Sequence, residues 1–201
     1  DAALVLSPGS TKTLIESFRR NEGIEQRDGT LRRAEVAPKV RHAEFVSGNK
    51  MIVSMPLGDL AAIARSSAVE NVDVYHAMSP AAVRSMQKLN RLKPLLRLSP
   101  MQRFLKWYVG RSVRGPDAQR RESLPAHLWG QAVNAAGETV SARISTPNGY
   151  TVTVEGALAM ASLLDDYNGG GYSTPAMLGG TALLTGLPGV SALEYLEADR
   201  E

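Results

Sequence analysis

Thr146-Pro147-Asn148-Gly149-Tyr150 opens one segment of this chain, and Gly169-Gly170-Gly171-Tyr172-Ser173-Thr174-Pro175-Ala176 closes it. A residue that precedes proline is pushed out of the α region, so Thr146 and Thr174 are expected to end extended segments. Between them Val152, Val154, Ala157, Leu158, Ala161 and Leu164 recur near helical spacing, and the glycine triplet stops the run. Two Thr-Pro dipeptides therefore bracket one apolar helix.

Upstream of that helix, turn residues alternate with short apolar runs. Leu128 to Asn134 and Thr139 to Ser145 flank Ala135-Ala136-Gly137 and read as a hairpin. Ile24 to Gln26 and Leu31 to Val36 flank Asp28-Gly29, a good hairpin turn because glycine tolerates positive φ. Val40 to Val46 and Met51 to Met55 repeat the pattern around Ser47-Gly48-Asn49. The near-continuous apolar run Met51-Ile52-Val53-Ser54-Met55 predicts burial on both faces. Val72 to Met78 alternates and reads as a further strand, and Leu4-Val5-Leu6 as a short one. Helices are expected from Thr11 to Arg20, from Leu57-Gly58-Asp59 onward, from Pro80 to Leu92 and from Pro100 to Val113. Ser79-Pro80 and Ser99-Pro100 each pair a capping serine with a proline at the first helical position. Arg114 to Pro125 reads as a polar loop, and the acidic tail after Glu194 as a fraying end. The expected fold class is α+β: a mostly antiparallel sheet with helices packed on it, plus a basic amphipathic helical hairpin over residues 79–113.

A chain of 201 residues can bury a real hydrophobic core. It has no cysteine, which removes disulfides, thiolate metal sites and cysteine nucleophiles together. No apolar run approaches the ~18 residues of a membrane span. No signal peptide is visible, and a cytoplasmic location, with peripheral membrane contact as an alternative, is the expectation.

The block from Thr146 to Ala176, with Val53-Ser54-Met55-Pro56-Leu57-Gly58-Asp59 and Asn71-Val72-Asp73-Val74-Tyr75, resembles the saccharopine dehydrogenase-like oxidoreductase family. That family includes the trans-acting enoyl reductases of bacterial lipid synthesis. The resemblance runs from about Ser7 to Val190 and implies nicotinamide-dependent reduction, with NAD or NADP as cofactor. Such enzymes open with a Rossmann domain whose Gly-x-Gly-x-x-Gly turn admits a pyrophosphate to a helix N-terminus. This sequence holds no such turn, and Asp1 starts abruptly, as though in mid-strand. The expectation is a C-terminal half whose cofactor is bound by a domain outside the sequence, in cis or in trans. Residues 1–145 would then form a substrate-binding and dimerisation domain. Residues 146–201 would form a helix and tail that pack back on the Rossmann domain, through the small face of Gly156, Ala157, Ala159 and Ala161. A homodimer is expected from the same resemblance.

From Arg84 to Arg121 the chain carries eleven basic residues against a single acid, Asp117, although its net charge is only +3. Apolar residues interleave with them, among them Phe104, Trp107 and Tyr108. Three readings stand side by side. The segment forms two surface helices with solvated cations, or an interfacial hairpin that meets anionic headgroups, or an apolar lid over a long acyl substrate. Nucleic acid is not expected as a partner, because no helix-turn-helix, zinc finger or stacking platform accompanies the charge.

Chemistry-bearing residues are few. His42, His76 and His127 have no partner at metal-ligand spacing, so no metal is expected, and His42 and His76 read as sheet residues. No Gly-x-Ser-x-Gly elbow occurs, and catalytic residues stay unassigned. Asp59, between a buried strand and a helix, is the carboxylate to single out, either as a ligand-facing group or as a helix cap. Tyr75 could donate a hydrogen bond to a substrate carbonyl, or be a packed tyrosine. Asp59 and Tyr75 are therefore the substrate-pocket candidates. Phe104, Trp107 and Tyr108 are the membrane or lid candidates. The alternative to a reductase half is a non-catalytic binding or oligomerisation module, peripheral at anionic membranes.

Overall fold

A computed structural model describes residues 7–17, 23–34, 39–55, 58–91, 98–113, 124–165 and 167–196. The strand expected at Leu4 to Leu6, the end of the first helix at Phe18 to Arg20, and most of the polar loop after Arg114 lie outside the described residues. Within them, six helices and three antiparallel sheets make an α+β fold.

The first sheet is the hairpin β1 (Gly23–Arg27) and β2 (Thr30–Ala34). Asp28 (φ 51°) and Gly29 (φ 71°) both lie at positive φ, the two-residue turn whose twist matches the flanking strands. The second sheet is β3 (Val40–Phe45), β4 (Gly48–Ser54) and β5 (Tyr75–Ala77), in that order. Phe45 pairs with Gly48, so the turn is Val46-Ser47 and not the Ser47-Gly48-Asn49 expected from sequence. Gly48, at φ 97°, supplies the bend at the first position of β4. Ile52 and Val53 are adjacent and both fully buried, so the apolar run does cover both faces of β4.

The strand expected over Val72 to Met78 is cut short. Val72 bridges to Gln26 of β1, and only Tyr75–Ala77 pairs with β4. The segment passes from one sheet to the next, and each sheet takes its own part of the hydrogen bonding. Asp73 and Tyr75 therefore serve different neighbours.

Among the helices, α1 (Pro8–Ser17) starts earlier than the sequence suggests, with the Thr11 N–H donating to the Ser7 carbonyl at 2.9 Å. Gly58–Ser66 forms α2, and Pro80–Arg91 forms α3. Ser79 caps α3 as expected, its hydroxyl accepting from the Ala82 N–H at 3.2 Å. The parallel expectation at Ser99 fails. In α4 (Ser99–Ser112) the capping position is Leu98, which makes no side-chain cap bond, and Ser99 is already helical. Helix α4 packs on α1, and Val109 and Ile15 are buried there.

The third sheet contains β6 (Ala126–Val133), β7 (Thr139–Thr146) and β8 (Glu194–Leu196). The expected fraying does not hold through Leu196: β8 pairs with β7, and Arg143 donates to the two Glu194 oxygens at 2.8 and 2.9 Å, while residues 197–201 lie outside the described residues. Trp129 of β6 packs against the apolar cluster of Ala43, Phe45 and Ile52, which joins the third sheet to the second.

Thr146 ends β7, as the Thr-Pro reading requires, and α5 (Gly149–Leu164) follows. Asn148 caps it, accepting from the Tyr150 and Thr151 N–H groups at 3.0 and 3.2 Å. Thr174 is extended and caps a second helix, α6 (Pro175–Thr185), which the sequence reading did not anticipate. Gly179-Gly180 reads locally as a breaker, and Gly180 does kink the element at φ 58°.

Candidate functional site

The first cluster lies where β4 hands over to α2. Asp59 is exposed in the first turn of α2, where the positive end of the helix dipole favours a carboxylate. Tyr75 is half-buried against the Ala43, Phe45 and Ile52 cluster, so its ring is part of the core. His76, the next residue along β5, points to the opposite side of the strand. Burial pushes its imidazole below the ordinary histidine value, and the Asp59 carboxylate acts in the other direction. The Asp59 charge thus acts on His76, a residue the sequence reading had set aside.

A second cluster centres on Asp73. Its carboxylate bonds the Arg27 guanidinium and accepts from the Lys39 ammonium, 3.0 Å from each oxygen. Arg27 also donates to the carbonyls of Gln26 at 2.8 Å and Val72 at 3.0 Å. Burial raises the Asp73 carboxyl, but the two cationic donors outweigh it and hold the group below the usual carboxylate range. With both oxygens engaged, Asp73 clips the first sheet to the start of the second. The partners stand 46 and 34 positions away, so no spacing in the sequence signals them.

The third feature is the outer face of α4. Gln102 and Val109 are its buried residues, and Phe104, Trp107, Tyr108 and Arg111 lie on the opposite side. Phe104 and Trp107 are 6.0 Å apart between ring centroids, and the Arg111 guanidinium sits 4.9 Å over the Trp107 ring. Phe104, Trp107 and Tyr108, the membrane or lid candidates, are all more than half exposed.

The fourth feature is apolar surface turned outward near the chain's end. Helix α5 buries no residue, and Val154, Leu158 and Leu164 are each more than half exposed. Its half-buried side carries Thr151, Val152, Glu155, Gly156, Ala159 and Met160, with Gly156 facing the Leu187 methyl. The helix's one acid thus lies toward the body of the protein, and the leucines lie away from it. The third sheet also turns apolar residues outward. Register places Leu128, Ala132, Val140, Ala142, Ile144 and Tyr195 on one face, where Ile144 is buried and Leu128, Val140 and Tyr195 are exposed.

Among the described residues, no group of three or more His, Asp or Glu side chains could hold a metal ion, and no helix is long and apolar enough to cross a membrane. The chain matches no protein-family model and no curated protein.

Proposed function

We propose that this chain is the substrate-side half of a nicotinamide-dependent oxidoreductase of the saccharopine dehydrogenase-like kind, acting on an apolar or lipid-like substrate. One observation carries the reading: α5 and α6 have the composition of buried helices and bury no residue. A helix apolar on its outward side is stable in water only when another element covers it. In this reading the cover is the dinucleotide-binding domain, in the same polypeptide or on a second chain.

The described residues do not themselves form a dinucleotide cradle. Gly169-Gly170-Gly171 follows helix α5 and leads to Thr174 at the cap of α6, whereas a pyrophosphate cradle needs a strand, a tight glycine turn and a helix. NAD or NADP would belong to the partnering domain. This chain's part would be to wall the substrate and exclude water, with Asp59 and His76 as candidate polar groups at the β4–α2 corner. The outward apolar face of the third sheet would form the homodimer surface.

The test joins the chain to the cofactor domain encoded with it, or mixes it with such a domain made separately. Hydrogen exchange should slow along residues 149–185, and NADH or NADPH should bind only in the presence of the added domain. Dinucleotide binding by this chain alone, or unchanged exchange in α5 and α6, would remove the reading. The second reading is a non-catalytic oligomerisation module. It draws on the Leu128, Val140 and Tyr195 face, and protection of that sheet with no dinucleotide binding would favour it.

A further inference from the structure

Helix α4 is built inside out for a water-facing element. On a surface helix the aromatic residues normally face the core and the polar ones face solvent. Here the side packed inward carries Gln102 with Val109, and the side facing out carries Phe104, Trp107 and Tyr108. The chain has three Phe, two Trp and six Tyr, and three of these aromatics fall within the five residues 104–108. Leu98, just ahead of the helix, is also more than half exposed.

In sequence, the charge around α4 has one sign. From Val74 to Pro116 the sequence contains nine Lys and Arg residues and no Asp or Glu. Arg103 and Arg111 are exposed on α4 itself, and Lys12 of α1 lies over Gly110, its ammonium 3.4 Å from where a Cβ would stand. The Glu16 carboxylate beside α4 is bonded to Lys106 on the α1 side of the helix. The Arg111 guanidinium stacks on the Trp107 ring at 4.9 Å, so cation and aromatic share one outward surface.

We infer that the outer face of α4 docks the protein on an anionic lipid bilayer, with Phe104, Trp107 and Tyr108 entering the headgroup region and Arg103 and Arg111 meeting lipid phosphates. The chemistry matches on both counts. Trp and Tyr rings partition to the headgroup boundary because one edge is apolar and the other carries a polar group. Arginine pairs with phosphate through two parallel N–H donors. A soluble polyanion would satisfy the cations but leave the apolar rings in water. The inference does not depend on the reductase reading, since a docking face needs neither a dinucleotide nor turnover.

The experiment uses the chain as it stands, with vesicles of phosphatidylcholine mixed with phosphatidylglycerol and vesicles of phosphatidylcholine alone. The expected result is sedimentation with the anionic vesicles only, a blue shift of tryptophan emission on binding, and release by added salt. Arg103→Gln with Arg111→Gln should weaken binding about fivefold for each cation removed. Phe104→Ala with Trp107→Ala should weaken it at least about tenfold and abolish the blue shift, with unchanged circular dichroism because both side chains are exposed. Three outcomes would overturn the inference: equal affinity for both vesicles or for neither, full binding by the aromatic double variant, or an equal blue shift with heparin in place of lipid. A concentration-dependent blue shift without lipid would assign the face to a second copy instead and would overturn it too.

Discussion

The Lys39 ammonium stands 3.0 Å from both carboxylate oxygens of Asp73, and the Arg27 guanidinium bonds Oδ1 of the same group. Because burial alone would raise this carboxyl, its lowered value reports how far the two cations prevail. The charged form is the one the fold stabilises. Its contribution is fully present above the unfolded carboxyl value of about 4 and is lost as pH falls through the lower folded value. Asp73→Asn should therefore cost up to about 1 kcal/mol near neutral pH and close to nothing in strong acid. Urea midpoints of both proteins at the two pH values check this, and a gap that persists in acid would contradict it.

His76 has the opposite chemistry and the same sign of pH dependence. Burial disfavours the imidazolium, so the unfolded chain takes up a proton at higher pH than the folded one. The stability this provides is complete above about pH 6.5 and is lost as pH falls through the depressed folded value. Replacing His76 by Gln should flatten the stability curve between about pH 8 and pH 5. NMR titration of the His76 ring gives a second readout, and a midpoint at or above the free-histidine value would refute the assignment.

Two glycines offer a matched pair. Gly189 (φ 76°) and Gly137 (φ 83°) both sit at positive φ, but only Gly189 would place a Cβ 2.9 Å from the Pro147 ring, while Gly137 faces open space. Gly137→Ala should cost about 1–2 kcal/mol from backbone strain alone. Gly189→Ala should cost clearly more, because Pro147 follows β7 directly and has little freedom to move. Equal losses in thermal midpoint would show that the Pro147 contact is relieved freely.

The core is narrow enough that one residue should dominate it. Ile52 is 1% exposed and belongs to the cluster of Ala43 and Phe45. Ile52→Ala should cost about 2–5 kcal/mol. On the neighbouring strand Val40 is exposed, and Val40→Ala should stay within about 0.5 kcal/mol. Chemical denaturation of both variants tests whether the β3–β4 pair is the stabilising centre of the fold.

Local chemistry made much of this molecule legible beforehand. Asp28-Gly29, Ser79-Pro80 and Thr146-Pro147-Asn148 each specify a turn or a helix start through the backbone preferences of two or three adjacent residues, and each forms where expected. Ile52-Val53 announces double burial through composition alone. Some misses are local, as at the Val46-Ser47 turn and the Leu98 capping position. The others have a different cause. β8 exists because Glu194 finds Arg143, 51 positions away, and the strand at Val72 breaks because its two ends belong to different sheets. α6 forms across a Gly179-Gly180 pair that local propensity reads as a stop. The candidate residues divide in the same way. Asp59 sits at a helix start as its neighbours dictate, whereas the action of its charge on His76 and the clamp on Asp73 arise between segments.

By itself, the sequence determined elements whose cause is local: the Asp28-Gly29 turn, the Ser79 cap, the apolar period of α5 and the run of cations around α4. It did so because backbone preference and side-chain period act over a few residues. Only the tertiary structure decided which faces turn outward. Period alone places Phe104, Trp107 and Tyr108 together but cannot say whether that side of α4 meets α1 or water. The answer depends on which neighbour packs against the helix, and here Gln102 and Val109 take the inner side. The exposed leucines of α5 have the same origin, for burial is a property of the assembled molecule and not of any segment.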